Sequence, residues 1–344
     1  MEDFEKLLAE YDYVVPPEAI AQTPAAPRDS AKLLIYDRST QAITFDTFRN
    51  VAQYLPPQAV LVLNDTKVLP ARLPLTRKTG GAVEILYLRV AGEEIIVLSN
   101  KKLTETAPLF YKGKHLFTVI AQDGKFYRLK PTFPIAEIFS VLERLGTMPL
   151  PPYIKHSPLS PSQQREQYQT VFAQYLGSVA APTASLHFTP ELLQQLPRHG
   201  FSLAYVTLHV NLGTFAPLKP EQIAQEKLHE ESLIIHHETA TLLNQAIHDG
   251  RPIIPVGTTA LRALESAVDH KKIMAGQRTT DIFIRPGYRF KVTDGLITNF
   301  HVPRSSLMML VAALVGREKL LELYAIALRN NFRLFSFGDA LLIK

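Results

Sequence analysis

Four histidines, His187, His209, His229 and His301, each stand at the edge of a predicted element, beside Thr183, Thr207, Glu231 and Asn299 respectively. An imidazole titrates near neutrality, so histidines placed in this way suit proton transfer or ligand contact. Asn64 and Asp65 close the apolar run Val60 to Leu63, and Arg72 follows. Such residues at a strand end make a turn or a cap, or else Asp65 and Arg72 reach into the cleft where ligands of α/β proteins lie. Gly257-Thr258-Thr259 follows a strand and opens a helix. Its open amides and the helix dipole favour an anion, phosphate or carboxylate, with Arg262 one turn on to pair with it; an ordinary threonine cap is the alternative. Asp339 follows a glycine turn in Phe335-Ser-Phe-Gly-Asp339. It is either a turn aspartate or an acid that closes an aromatic pocket and accepts an amine.

The nearly uncharged stretch Leu176 to Phe188 gives these groups a setting. Its small residues leave backbone amides open to a ligand, Pro182 stiffens the turn, and Thr183 and His187 carry its hydrogen-bonding chemistry. Two segments of similar texture follow, Val206 to Phe215 and Val256 to Glu265. The three read as walls of one pocket. His229 and His236-His-Glu238 lack a His-Glu-x-x-His spacing and read as solvent-facing helix residues, so no metal site is expected. Neither a Walker loop nor Gly-x-Gly-x-x-Gly is present, and nucleotide binding by those loops is not supported.

The elements that hold these residues alternate. Strands are expected at Lys32 to Tyr36, Ala42 to Phe45, Val60 to Leu63, Phe201 to Val210, Pro252 to Val256, Asp281 to Ile284 and Leu296 to Thr298. Helices are expected at residues 2–10, Ser162 to Tyr175, Thr189 to about Pro197, His237 to His248, from Gly257, and twice from about Ser306. This is the pattern of an α/β body. Between Leu73 and Leu129 the texture changes to short runs broken by glycines, Ala82 to Val90, Glu94 to Leu98, His115 to Ile120 and Lys125 to Leu129, which suggest an inserted small β-barrel or sandwich. A helix at Pro134 to Leu145 and the proline linker Met148 to Tyr153 lead back. The expected organisation is therefore a mixed α/β main domain in two parts, 1–66 and 151–344, around an inserted β-barrel-like basic domain, 67–150. Arg28 and Asp29, on a proline-stiffened loop, read as a pair.

The 344 residues, 46% apolar, suffice for a large core. The absence of cysteine excludes disulfides, thiolate nucleophiles and cysteine-ligated clusters, including the one that radical S-adenosylmethionine chemistry needs. The acidic, amphipathic residues 1–10 hold no signal-like apolar core, and the longest apolar run, Leu307 to Val315, is far below the roughly 20 residues of a membrane span. A soluble, cytoplasmic protein is expected. The net charge of +5 is uneven, since residues 67–130 hold 12 basic and 5 acidic side chains, a local +7. A basic surface suits a polyanion such as nucleic acid.

Together these blocks resemble the S-adenosylmethionine:tRNA ribosyltransferase-isomerase family of queuosine biosynthesis. The resemblance runs from Tyr11-Asp-Tyr13 to Phe337-Gly-Asp339. It rests on Leu63-Asn-Asp-Thr66 with Pro70-Ala-Arg-Leu73, Pro149-Leu-Pro-Pro-Tyr153, Tyr168-Gln-Thr170, Ala180-Ala-Pro-Thr-Ala184 with Leu186-His-Phe188, Thr207-Leu-His-Val210 with Gly213-Thr-Phe215, Gly257-Thr-Thr259 with Leu261-Arg262, and Thr298-Asn-Phe-His301. It implies transfer of the ribosyl part of S-adenosylmethionine to a 7-aminomethyl-7-deazaguanine in tRNA and its isomerisation to epoxyqueuosine, with adenine and methionine released. It also implies a monomer with no metal and no permanently bound cofactor, S-adenosylmethionine being a substrate and tRNA the partner. With residue type and place, it makes His187, His209, Asp65 and His301 the catalytic candidates, His187 and His209 foremost. Thr183, Gly257, Thr258, Thr259 and Arg262 become candidates for S-adenosylmethionine, the last three for its carboxylate, and Asn64, Arg72 and Asp339 for the second substrate. Three positions depart from the family pattern: Ser185 and Asn211 stand where it has glycine, and Glu226 where it has histidine. A non-catalytic tRNA-binding relative with a diverged ligand site is the alternative.

Overall fold

A computed structural model describes residues 2–211 and 217–344. The motif Gly213-Thr-Phe215 lies outside the described residues. After helix α1 (Glu2–Ala9) come β1 (Lys32–Tyr36), β2 (Ile43–Thr47), β3 (Val60–Asn64) and β4 (Thr66–Val68). All five residues of β3 are buried. Such a strand is covered on both faces, which is why it reads as an unbroken apolar run. Leu61 and Leu63 pack with Phe48, Phe188 and Leu192, while Val60 and Val62 pack on the other side with Val206, Leu243 and Leu264.

The chain then forms β5 (Arg72–Arg77), β6 (Ala82–Ala91), β7 (Glu94–Ser99), β8 (Pro108–Tyr111), β9 (Lys114–Asp123) and β10 (Phe126–Pro131), followed by α2 (Ile138–Leu145). The six strands close into an antiparallel barrel, because β10 pairs with both β7 and β9. Alternate residues such as Leu73, Ile85, Val97, Phe117 and Leu129 fill it, and Ile138 and Leu142 of α2 join that core.

The return path is α3 (Pro161–Gln167), β11 (Tyr175–Ser178), α4 (Pro190–Arg198), β12 (Ser202–Leu208), α5 (Pro220–Gln225), β13 (Lys227–Ile235), α6 (His237–His248), β14 (Ile253–Pro255) and α7 (Thr258–Ser266). The chain finishes with β15 (Val268–Asp269), β16 (Lys272–Ile273), β17 (Gly276–Ile282), β18 (Leu296–Asn299), α8 (Ser306–Val315), α9 (Arg317–Arg329) and β19 (Ala340–Ile343). One sheet has the order β14-β3-β12-β13-β17 and another β18-β19-β1-β2. A parallel bridge between Val256 and Ile297 joins them. Strands β12 and β14 run parallel to β3, so the carboxyl ends of β18, β14, β3 and β12 open on one side of the sheet. The mixed α/β body with its barrel is the fold class expected from sequence.

Three local expectations differ from the structure. The helix foreseen to Tyr175 ends at Gln167: Ser160 caps its start, and Arg28 donates to the carbonyls of Glu166 and Gln169 at its end. Arg28 therefore does not pair with Asp29, which faces Arg49 at 3.7 Å. Gln169 then holds both the N–H and the carbonyl of Val68, and β11 forms alongside β4. His229 lies on strand β13, not on a helix; the strand is held between β12 and β17. The last residues form β19, parallel to β1, an arrangement only the far end of the chain supplies.

Candidate active site

The stretch from Leu176 to Phe188 crosses the carboxyl ends of the parallel strands, anchored by the bond from the Val179 N–H to the Val210 carbonyl. Beneath it lies a narrow cleft of about 50 Å³. Ala181 to Ala184 form one wall, Gly257 to Thr259 a second, Thr298 to Val302 a third, and Tyr153, Phe335 and Ser336 close the end. Val210 also lines it, so the three segments of similar texture meet here. Gly257 takes φ +88° at the start of α7, a left-handed conformation that suits glycine. The first amides of α7 thus open toward the cleft.

Thr183 donates to Asn299 Oδ1 at 2.8 Å, and Asn299 Nδ2 lies 3.3 Å from His187 Nε2. Thr298 Oγ1 and His301 Nε2 are 2.9 Å apart. Asn299, at the end of β18, is thus the hub of the cleft's polar groups, although the sequence singled out only its neighbour His301. His187 stands behind Asn299, its ring 4.9 Å from that of Phe48. Burial pushes both His187 and His301 down to about 3, with Arg333 adding to the effect at His187. Both imidazoles are therefore neutral at pH 7.

Leu307 is shared with a second, smaller hollow lined by Arg262, Glu231, His229 and Ser306. Arg262 is 5% exposed and its Nη1 is paired with Glu231. His229 in turn belongs also to a groove between barrel and body, with Arg89, Lys125, Phe126, Phe139, His209 and Asn211 on its walls. His209 Nδ1 is 2.8 Å from Thr66 Oγ1, and a Cβ at position 177 would lie 2.9 Å from its Cε1, so Gly177 makes room for the ring. Burial lowers the pKa of His209. At His229 burial comes first, Lys125 and Lys219 lower it further, and Glu231 opposes them. Leu307 lines both the cleft and the hollow, and His229 both the hollow and the groove, so the three cavities adjoin.

Thr183, Gly257, Thr258, Thr259 and His301 lie in the cleft, Arg262 in the hollow and His209 in the groove. Arg262 is thereby separated from Thr258 and Thr259, with which the sequence grouped it. His187, Asn64, Asp65, Arg72 and Asp339 line none of the three cavities. Asn64 holds the strand ends together, accepting from the amides of Thr66 and Leu208 and donating to the Leu208 carbonyl. Asp65 accepts the Thr207 hydroxyl at 2.6 Å, and burial raises its pKa against that bond. Arg72 pairs with Glu84 at 2.7 Å within the barrel. Asp339 accepts the amides of Lys32 and Arg333, tying the carboxyl-terminal loop to β1. For these four, the polar groups that suggested a ligand are engaged in joining elements.

The three departures fall in different places. Ser185 is fully buried and its hydroxyl lacks a hydrogen-bond partner among the described residues. Asn211 faces the groove and donates to the Glu230 carbonyl. Glu226 is exposed and paired with Arg285. Among the described residues no cluster of His, Asp or Glu could hold a metal ion, and no helix is long and apolar enough to cross a membrane.

The family model described as queuosine biosynthesis protein matches residues 8–343. An S-adenosylmethionine:tRNA ribosyltransferase-isomerase of Citrifermentans bemidjiense is 45% identical over 342 residues, covering 98% of this chain and 99% of that protein. The protein of the same name from Carboxydothermus hydrogenoformans is 45% identical, with the same coverage of both chains. The crystal structure of the S-adenosylmethionine tRNA ribosyltransferase of Thermotoga maritima matches with a TM-score of 0.56 and 32% identity, over 97% of this chain and all of that one. The chain therefore belongs to the queuosine biosynthesis family of S-adenosylmethionine:tRNA ribosyltransferase-isomerases.

Proposed function

We propose that this chain transfers the ribosyl moiety of S-adenosylmethionine to a 7-aminomethyl-7-deazaguanine in tRNA and isomerises it, forming epoxyqueuosine and releasing adenine and methionine. Family membership supports the activity. The observation that carries the assignment of parts is the adjacency of three cavities, a cleft holding Thr183, Thr298, Asn299 and His301, a hollow bordered by Leu307 and His229, and a groove bearing Arg89 and Lys125. The hydrogen-bonding groups of the cleft suit the polar edges of a sulfonium nucleoside, and a nucleic acid suits the groove, where Lys and Arg attract phosphates and Phe126 and Phe139 offer faces for a base.

The sulfonium acidifies the neighbouring carbon, so a base is required; adenine departs more readily when it gains a proton; and the attacking amine must be held. In this reading Thr183, Asn299, Thr298 and His301 orient the nucleoside as neutral hydrogen-bonding groups, and the α7 amides hold its polar edge. Proton transfer falls to His209 and His229, the histidines of the groove. The protein works as a soluble cytoplasmic monomer without a resident metal or cofactor.

The test is incubation with S-adenosylmethionine and tRNA carrying the 7-aminomethyl base, following adenine release by chromatography. Adenine formed in proportion to modified tRNA is the expected result. Tight tRNA binding with no adenine, under conditions where the Citrifermentans relative works, overturns the reading in favour of a non-catalytic RNA-binding protein.

A further inference from the structure

Arg262 is the buried cation of the second hollow, and half of its fork is unused. Nη1 is paired with Glu231, whereas Nε and Nη2 are shielded from solvent and have no hydrogen-bond partner among the described residues. A guanidinium stays charged at any relevant pH, and a buried donor without an acceptor is unfavourable. The Nε–Nη2 edge presents two parallel N–H groups, the arrangement that matches the two oxygens of a carboxylate. Glu231 holds the guanidinium from the other side, and its Oε1 accepts the Asn211 amide at 3.1 Å. The remaining walls include Leu228, Ile284 and Leu310. So narrow and largely apolar a hollow excludes a nucleic-acid backbone, and at about 20 Å³ it takes a terminal group of a small ligand only if its walls give way. Leu307 borders both this hollow and the cleft, so the two lie on either side of one side chain.

We propose that the Nε–Nη2 edge of Arg262 receives the α-carboxylate of the methionyl arm of S-adenosylmethionine, with Glu231 fixing the orientation of the guanidinium. This assignment rests on the proposed function. It separates two anion sites that the sequence merged: the carboxylate goes to Arg262, and the amides at Thr258 and Thr259 serve the nucleoside end.

The experiment compares kcat/KM for S-adenosylmethionine with that for its decarboxylated analogue, in the wild type, Arg262→Lys and Arg262→Met. The wild type is expected to prefer the carboxylate by about 100-fold or more, because a site built for a buried polar partner rejects a substrate that lacks it. Arg262→Lys keeps a charge beside Glu231 but loses the two-point edge, and should reduce the preference at least tenfold; Arg262→Met should bring it near one. A purely structural arginine would lower both rates and leave their ratio unchanged, which overturns the proposal, as does a wild type that accepts both donors equally. Titration calorimetry of wild-type protein with the two donors reads the same ratio without turnover. A wild type that binds S-adenosylmethionine selectively but releases no adenine sinks the activity while sustaining the subsite. One that binds neither donor sinks both.

Discussion

The inner cleft and the outer groove both contain histidines, and the two environments put the same side chain to different uses. His187 and His301 are buried, 5% and 8% exposed, and are held neutral at about 3. Asn299 and the backbone of Arg28 hold His187, and Thr298 holds the ring of His301. His209 and His229 are half-buried on walls open to solvent, and their pKa values are lowered from the ordinary value, chiefly by burial. A group whose pKa lies well below the working pH makes a good fixed donor or acceptor but a poor shuttle, since its protonated form is scarcely populated. The contrast favours the groove for proton transfer and the cleft for orientation. Of the two histidines the sequence put foremost, His209 keeps that candidacy as a proposal. His187 stands one residue behind the cleft.

The largest expected effect comes from removing the groove histidine. His209→Gln keeps a hydrogen-bonding side chain but cannot take a proton, and should lower kcat by about 10²- to 10⁴-fold with the fold intact. If His209 is the base, wild-type kcat/KM should fall as pH drops through its pKa, which lies below the ordinary 6.5, and this acid limb should vanish in the variant. Retention of the limb would move the role to His229. His187→Gln, measured alongside, should change kcat much less, and an equal loss would erase the distinction between the two regions.

The sequence disclosed much of this division, but not all of it. The strand Val60 to Leu63 was legible because burial on both faces demands an unbroken apolar run, and Gly257-Thr258-Thr259 because a strand end followed by a helix start has its own signature. The wall from Leu176 to Phe188 was legible from its small, uncharged residues. What stayed hidden depends on partners remote along the chain. Asn64, Asp65 and Asp339 read either as turn and cap residues or as ligand groups, and the first reading holds: Asn64 accepts the nearby Thr66 amide. The distant partners that complete the bonds, Leu208, Thr207 and Lys32, have no local signal. His229 was misread because Lys227–Ile235 becomes a strand only when β12 and β17 flank it.

A second test of the contrast uses stability instead of rate. His301 binds a proton near 6.5 when unfolded but only near 3 when folded, so between those values unfolding takes up a proton and stability falls as pH falls. His187 behaves alike. Each should contribute a slope of about 1.4 kcal/mol per pH unit within that window and none above pH 7. Urea denaturation of His301→Gln from pH 7 to 4.5 should show a slope reduced by about that amount. His209, half-exposed in the groove, should contribute less, and an equal reduction in His209→Gln would break the inner-outer division.

The smallest effect is expected outside both regions. Glu226 ends α5 in a left-handed conformation, φ +53°, its side chain 67% exposed and paired with Arg285. Exposed ion pairs contribute between nothing and about 1 kcal/mol, because solvent screens the attraction and two long side chains lose freedom. The position lines neither cleft, hollow nor groove. Glu226→His, which restores the residue of the family pattern, should therefore leave stability within about 0.5 kcal/mol and kcat within about twofold. Asn211→Gly alters a side chain that faces the groove, and should change KM for tRNA more than Glu226→His does. If Glu226→His proves the more effective, the chain entering β13 transmits its influence to His229, three residues on, and the groove's chemistry extends beyond its walls.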